Sequence, residues 1–123
     1  MKKILSILFG ALMLIGFTAC EKGLEVTDAN IVGKWELVKI TVEGESEPGG
    51  QVWELAADHS LYVIAEGERI SAGKWELDGK QLSTRFFPFP ATVTKLTEKA
   101  LTLELKDPYY GQVAAKYEFE KAD

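Results

Sequence analysis

Two segments near the C-terminus alternate strictly between apolar and polar residues, and this alternation limits the fold more than any other feature of the chain. Residues 100–106 place three leucines on one side and Thr102, Glu104 and Lys106 on the other. Residues 112–120 continue the pattern, with aromatic and small apolar residues set against mainly charged ones. Because successive side chains of a β-strand point to opposite faces, this period of two predicts strands with one buried and one solvated face.

From residue 33 onward the chain divides into eight short runs rich in Val, Ile, Thr, Tyr, Phe and Trp, separated by turn residues such as Asp78-Gly79. The predicted strands cover residues 33–43, 51–57, 60–66, 69–77, 80–87, 91–97, 100–106 and 112–120. Short links between successive strands favour an up-and-down meander, and closing it removes two open edges. We therefore predict an all-β fold, an eight-stranded antiparallel up-and-down β-barrel. A two-sheet β-sandwich is the alternative.

The apolar face changes side within two of the predicted strands. In the first strand it holds Trp35 and Leu37 and then moves by one residue to Val38. A similar change lies between Val93 and Leu96. A shift of one residue is what a β-bulge produces, so the sequence predicts a bulge or sharp bend at both places.

A pentapeptide, Gly-Lys-Trp-Glu-Leu, begins at Gly33 and occurs again from Gly73. In the predicted meander the two copies lie on antiparallel strands, which argues against a duplicated half-domain. Both tryptophans, Trp35 and Trp75, then fall near the same end of the barrel. We predict that they form the barrel base, and that the glycines leave room for their rings beside close-packed backbone.

The longer links gather at the opposite end of the predicted barrel, which would form its mouth. These links cover residues 44–50, 66–68, 88–90 and 107–111. Exposed aromatic side chains often mark interaction sites, and this rim is rich in them. The candidate rim or ligand contacts are Phe87, Phe89, Tyr109, Tyr110 and Arg85.

The N-terminus has the layout of a bacterial lipoprotein signal. Two lysines precede an uncharged apolar run over residues 4–17, and Thr18-Ala19-Cys20 follows. This run is shorter than the ~20 residues that a membrane-spanning helix needs. We therefore predict a cleaved signal peptide at 1–19, a tether at 20–31 that is lipidated on Cys20, and a barrel domain at 32–123.

Composition argues against several classes of function. The net charge is −5, and without a basic cluster an acidic chain is unsuited to nucleic acid. No nucleophile motif, glycine-rich phosphate loop or metal-ligand spacing occurs. The sole histidine, His59, is predicted to be a solvated turn residue. We therefore expect no enzymatic activity, no cofactor and no metal.

At Gly33-Lys34-Trp35, near the start of the first strand, the chain resembles the Gly-x-Trp signature of lipocalins. It is most similar to the small lipocalin-like domains of Gram-negative lipoproteins, and the resemblance covers roughly residues 31–121. It implies that Trp35 lies at the closed end of the barrel. Lipocalins usually stack an arginine over that tryptophan, and here Lys121 could take its place.

Two functions are compatible with these features. The first is an envelope lipoprotein, anchored in the membrane by its N-terminal lipid, that binds a small apolar or amphipathic ligand at its rim. The second is a protein-interaction or inhibitor barrel whose interior is filled and whose aromatic rim docks on an envelope protein. The large side chains predicted for the interior would fill its lower half, since the interior of an eight-stranded barrel is just wide enough to hold side chains. We expect the outer membrane as the location.

Overall fold

A computed structural model describes residues 23–122 of the protein. The predicted signal peptide and its lipidated Cys20 lie outside the described residues. The described chain is nearly all β, with one short helix, α1 (Asp28–Ile31). Its strands are β1 (Gly33–Val42), β2 (Glu45–Pro48), β3 (Val52–Leu55), β4 (Ser60–Ala65), β5 (Glu68–Lys74), β6 (Glu76–Asp78), β7 (Gln81–Ser83), β8 (Ala91–Leu96), β9 (Ala100–Lys106) and β10 (Val113–Lys121).

All of these strands belong to one antiparallel sheet that curls into a nearly closed barrel. The order is β5-β4-β3-β1-β10-β9-β8-β7-β6, and β2 is added beside β1. Neighbours in the sheet are thus mostly neighbours in the chain. There are two exceptions. The first half of β1 pairs with β3, and β1 also pairs with the last strand, in which Trp35 lies opposite Lys121 and Leu37 opposite Phe119.

The prediction of eight strands is wrong in number, for two reasons. The loop 44–50 contains β2, which pairs with the second half of β1. The predicted strand 69–77 is divided at Trp75 into β5 and β6. The backbone N–H of Trp75 donates to the His59 carbonyl at 2.9 Å, one residue beyond the Ser60–Lys74 pair of β4 and β5. The residues after Trp75 pair with β7 instead.

The divided strand lies at both ends of the sheet. Its first part, β5, pairs with β4, and its second part, β6, pairs with β7. We call the position where these two strands meet the seam. Here β5 and β6 are connected through Trp75 along the chain and are not neighbours in the sheet order. Within residues 23–122, β5 and β6 each have a paired strand on one side only. Two unpaired strand edges are also a property of a two-sheet sandwich, so the structure is compatible with that alternative as well.

Both predicted irregularities are present. The register of β1 against β10 shifts between Leu37 and Lys39. The register of β8 against β9 shifts between Val93 and Lys95. In each case the shift turns the next apolar side chain toward the core: Ile40 packs against it after the first shift, and Leu96 is buried after the second.

The predicted strand 80–87 ends early, at Ser83. The Thr84 hydroxyl accepts a hydrogen bond from the backbone N–H of Phe86 at 3.1 Å, and the Thr84 carbonyl accepts one from Phe87 at 3.3 Å. Such a local turn competes with the sheet for the same backbone groups. The two phenylalanines therefore lie in a loop, where they can both turn toward the barrel.

The interior of the barrel is filled by large apolar side chains. Trp75, Leu82 and Leu103 are fully buried, and Trp35 and Phe119 are 1% and 2% exposed. No buried side-chain nitrogen or oxygen among the described residues lacks a hydrogen-bond partner. The core is thus packed in the ordinary way of a protein interior.

The N-terminal segment that we assigned to the tether packs on one end of the barrel. The Leu24 backbone N–H donates to the Leu96 carbonyl at 2.8 Å. Thr27 caps α1 by accepting from the Asn30 N–H at 3.2 Å, and Ile31 is fully buried in the core. We call this end, with α1 and the turns at 56–59 and 97–99, the base. The opposite end, with residues 44–50 and 84–90, is the mouth.

Candidate functional site

The first tryptophan of the repeated pentapeptide is covered by a basic side chain. The Nζ of Lys121 lies 4.5 Å from the centre of the Trp35 ring, a favourable position for a cation over an indole. Gly33 has a φ of 144°, and a Cβ at this position would lie 2.6 Å from that Nζ. The Trp35 indole N–H donates to the Ile31 carbonyl at 2.9 Å. Gly33 therefore leaves room for the side chain of Lys121 that covers Trp35; the prediction that it leaves room for the tryptophan ring itself is wrong.

The second tryptophan has a similar environment built from different residues. The imidazole of His59 stacks on Trp75, with ring centres 4.2 Å apart. The Trp75 indole N–H donates to the Ala56 carbonyl at 3.0 Å. Gly73 has a φ of 91°, and a Cβ there would lie 3.1 Å from Cδ of Arg85. Arg85, a predicted rim contact, thus extends along β5.

The two copies of the pentapeptide solve one packing problem. In both, a glycine with positive φ leaves space for a long basic side chain, and the tryptophan two residues later is buried with its N–H bonded to a backbone carbonyl. Both rings are linked to α1. Trp35 bonds to Ile31, and the His59 that stacks on Trp75 lies 2.7 Å from Asp28. The structure thus places Trp35 and Trp75 at the base.

An aromatic cluster centred on Trp53 fills the other half of the barrel. Trp53 is 3% exposed. Its indole N–H donates to the Gln51 side-chain oxygen at 3.2 Å. Its ring centre lies between 5.0 and 6.3 Å from those of Phe86, Phe87, Tyr117 and Phe119. Tilted and edge-to-face contacts at these distances are favourable, so the cluster is a rigid floor beneath the mouth.

A cavity of about 290 Å³ opens above this floor. Its walls come from β1, from the segment that follows β2, and from the 84–90 loop. The lining residues are Leu37, Ile40, Pro48, Gly49, Gln51, Trp53, Phe86, Phe87 and Tyr117. Aromatic and aliphatic walls with one amide side chain are typical of sites for small, mostly apolar molecules.

The predicted rim contacts do not form one site. Phe87 is 7% exposed and lies in the aromatic floor, 5.2 Å from Tyr117 between ring centres. Tyr109 and Tyr110 are 88% and 80% exposed in the turn after β9. Tyr109 and the half-buried Phe89 line a separate, more open depression of about 480 Å³. The structure therefore divides the candidates between the mouth cavity and a second surface.

Sequence reasoning missed two residues. Phe86 is 45% exposed and forms part of the wall of the mouth cavity. It falls within the predicted strand 80–87, because the turn at Thr84 that redirects it was not recognised. His59, predicted to be solvated, has a side chain that is only 29% exposed. Its partner Asp28 is distant in the sequence, so no local signal identifies the contact.

A larger groove, of about 650 Å³, lies on the outside of the barrel. It is bounded by residues 23–27 on one side and by residues 93–97 of the wall on the other. Thr94 and Lys95 are exposed there. This groove is a gap between the N-terminal segment and the wall and lacks aromatic residues, so we do not regard it as the candidate site.

Ion pairs elsewhere belong to the outer surface. Arg69 donates to Glu54 at 2.9 Å and lies over the ring of Tyr62, 3.7 Å from its centre. The hydrogen bond to Glu54 raises the pKa of Arg69, so this side chain stays charged. Exposed pairs of this kind contribute little to stability.

Among residues 23–122, no group of three or more His, Cys, Asp or Glu side chains is placed to hold a metal ion. No helix in the same part of the chain is long and apolar enough to cross a membrane. In comparisons with known proteins, no family model, curated protein or solved structure matches the chain.

Proposed function

We propose that the protein is a lipid-anchored envelope lipoprotein whose lipocalin-like barrel binds a small apolar or amphipathic molecule at its mouth. The observation that supports this most directly is the cavity above Trp53, which has aromatic walls although the rest of the interior is filled. Four aromatic rings pack around Trp53 beneath this cavity, which gives a ligand apolar surface to contact.

The size of the cavity restricts the ligand. At about 290 Å³ it is at the small end of the ~300–1,000 Å³ that ligand pockets usually have. A single ring or a short acyl segment would fit. Gln51 would contact a polar group of the ligand, since its amide lies beside Trp53 at the cavity edge.

The position of the base favours an outward-facing mouth. The described chain begins at Gly23, three residues after the predicted lipid site, and residues 24–31 pack at the base. A lipid on Cys20 would therefore hold the barrel with its base toward the membrane. The mouth cavity would face away from the membrane, toward soluble molecules.

A second function is favoured by the turn after β9. Tyr109 and Tyr110 are almost fully exposed, and the Asp107 carboxylate holds their turn by accepting from the Tyr109 N–H at 2.7 Å. Tyrosine is enriched in protein interfaces because its ring buries a large area at low entropic cost. The alternative is therefore a barrel that docks on an envelope protein through these two rings.

Replacing Phe86 with Ser should weaken binding of a small apolar molecule. Octanoate and benzyl alcohol are suitable probes, and the NMR shift of the Trp53 indole N–H reports their binding. Losing one aromatic contact costs about 1 kcal/mol, so the dissociation constant should rise roughly fivefold. Phe86 is 45% exposed, so this variant should keep its fold.

The double variant Tyr109→Ser, Tyr110→Ser is the matched control, since it removes exposed rings outside the cavity. It should bind both probes as the unmodified protein does. If neither probe shifts the Trp53 indole signal at millimolar concentration, the ligand-binding proposal fails. Probe binding that the double variant abolishes would instead favour the second surface.

Replacing Cys20 with Ser should remove the membrane anchor. The predicted lipid is attached through the cysteine sulfur, which Ser lacks, so incorporation of labelled palmitate should be lost. The protein should also keep its signal peptide, which mass spectrometry detects as a heavier chain. A Cys20→Ser protein that is still labelled and processed would contradict the lipoprotein assignment.

A further inference from the structure

Both ring nitrogens of His59 face a carboxylate. Nε2 lies 2.7 Å from Oδ2 of Asp28 on α1, and Nδ1 lies 3.4 Å from Oε1 of Glu76 on β6. A neutral imidazole has one N–H donor, whereas the imidazolium has two. Only the charged form can therefore donate toward both carboxylates at once.

The barrel side of this arrangement is fixed. The imidazole stacks on the buried Trp75 at 4.2 Å, and the His59 carbonyl accepts the Trp75 backbone N–H at 2.9 Å. His59 has a φ of 73°, so the turn presents its side chain from a constrained backbone. The other partner of this contact, α1, is a short helix that consists of residues 28–31 alone. A helix of one turn has little stability of its own and depends on its contacts.

We propose that His59 is a proton-controlled clamp: its imidazolium strengthens the hold of the barrel base on α1 and the N-terminal segment, and its neutral form loosens that hold. The observations that carry this are the two opposed carboxylates, the stacked ring between them and the single-turn helix on the far side. The clamp does not depend on the proposed ligand or on lipidation.

The surrounding charges favour the imidazolium. The hydrogen bond to Asp28 raises the pKa of His59 above its usual range, and Glu76 adds to this, while partial burial opposes it. Asp58 in the same turn stays ionised, since hydrogen bonds from Ser60 lower the pKa of its carboxyl. Lys74 at the end of β5 is the nearby positive charge, opposite Ser60 in the sheet. A histidine with a raised pKa stabilises the folded arrangement fully below its unfolded pKa and loses that effect as the pH rises through the folded value.

Loosening this hold would change the reach of the N-terminal segment. Residues 24–31 are bound to the base when clamped, and they would be freer to move away from it when the clamp is loosened. If Cys20 carries lipid, proton loss at His59 would let the barrel move further from the membrane. That last consequence alone depends on the proposed lipoprotein function.

NMR of the purified mature protein tests the clamp, because the single histidine needs no assignment among others. The His59 ring signals report its protonation, and the Trp35 indole N–H, which bonds to Ile31, reports the docking of α1. We expect both to change over the same pH range. We also expect the Ile31 and Val32 amides to lose hydrogen-exchange protection, corrected for intrinsic rate, as the pH rises through that range.

Four variants separate the clamp from a general effect of charge. Asp28→Asn and Glu76→Gln each remove one carboxylate and should lower the pKa of His59, with the larger decrease for Asp28→Asn. His59→Asn suits the positive φ and should leave α1 poorly protected at every pH. Asp78→Asn removes an equal charge from the end of β6 and should behave as the unmodified protein does.

Two results would overturn the proposal. One is a His59 that titrates while the Trp35 indole signal and the α1 amides do not change. The other is a pKa of His59 that is the same in the Asp28→Asn and unmodified proteins. Both carboxylate variants keep the His59 turn intact, so these results can be obtained even if His59→Asn fails to fold.

Discussion

Replacing Trp35 with Ala should lower the free energy of unfolding by about 3–5 kcal/mol, the usual cost of removing a large aromatic side chain from a core. Trp35 is 1% exposed, so nearly all of its area is buried. Its loss also leaves the Ile31 carbonyl without its indole donor and Lys121 without the ring it covers. Small domains are stable by only about 5–15 kcal/mol, so much of the total would be lost.

Urea unfolding followed by far-UV circular dichroism measures this change. The slope of the free energy of unfolding against urea concentration should be the same in the variant and the unmodified protein. Trp35→Phe is the informative companion, since it keeps much of the apolar volume but has no indole N–H. It should lose clearly less stability than Trp35→Ala. A Trp35→Ala protein within about 1 kcal/mol of the unmodified one would show that Trp35 does not support the base.

Replacing Gly49 with Ala should destabilise the protein by about 1–3 kcal/mol and close or distort the mouth cavity. A Cβ on Gly49 would overlap the carbonyl group of Leu37. That carbonyl accepts the Gly50 N–H at 2.8 Å and belongs to β1, so it cannot move aside cheaply. The segment that follows β2 must move instead, and Gly49 itself lines the cavity.

Two measurements check the Gly49→Ala prediction. The free energy of unfolding gives its cost, and the shift of the Trp53 indole signal with octanoate gives its effect on the cavity. Gly23→Ala is the control for an added methyl group, because nothing lies within 4 Å of a Cβ at that position. Unchanged stability and unchanged octanoate binding in Gly49→Ala would mean that the segment after β2 is free to shift.

Local patterns predicted the strands well where apolar and polar residues alternate strictly. In β9 and β10 the leucines and Phe119 are buried as the alternation predicts, but Thr102 on the polar face is also buried and Val113 on the apolar face is exposed. The changes of face at Leu37 and Val93 predicted the two register shifts. A bulge moves every following side chain to the other face, so it leaves a clear trace in the sequence.

The division of the strand at Trp75 had no such trace. The sequence from Arg69 to Leu77 has the composition of one continuous strand, and the division arises because the residues before Trp75 pair with β4 and those after it pair with β7. Similarly, β2 consists of the exposed residues 45–48, which have no apolar face, and it exists because β1 offers them a free edge. Both depend on pairing partners and not on the segment itself.

The candidate site was predicted only in part. The aromatic character of the 84–90 loop was visible in the sequence, but which ring points inward was not. The turn at Thr84 places Phe87 in the floor and leaves Phe86 at the wall, whereas Tyr109 and Tyr110 stand on a separate surface. The direction of a ring in a loop depends on hydrogen bonds and neighbours that periodicity does not describe.

By itself, the sequence determined the β character of the protein and the two bulges, because these depend on residues close together in the chain. The tertiary structure alone decided the seam at Trp75, the cavity above Trp53, and the contact of His59 with α1. Each of these brings together groups far apart in the sequence, and their free energy depends on the packed arrangement and not on either segment alone.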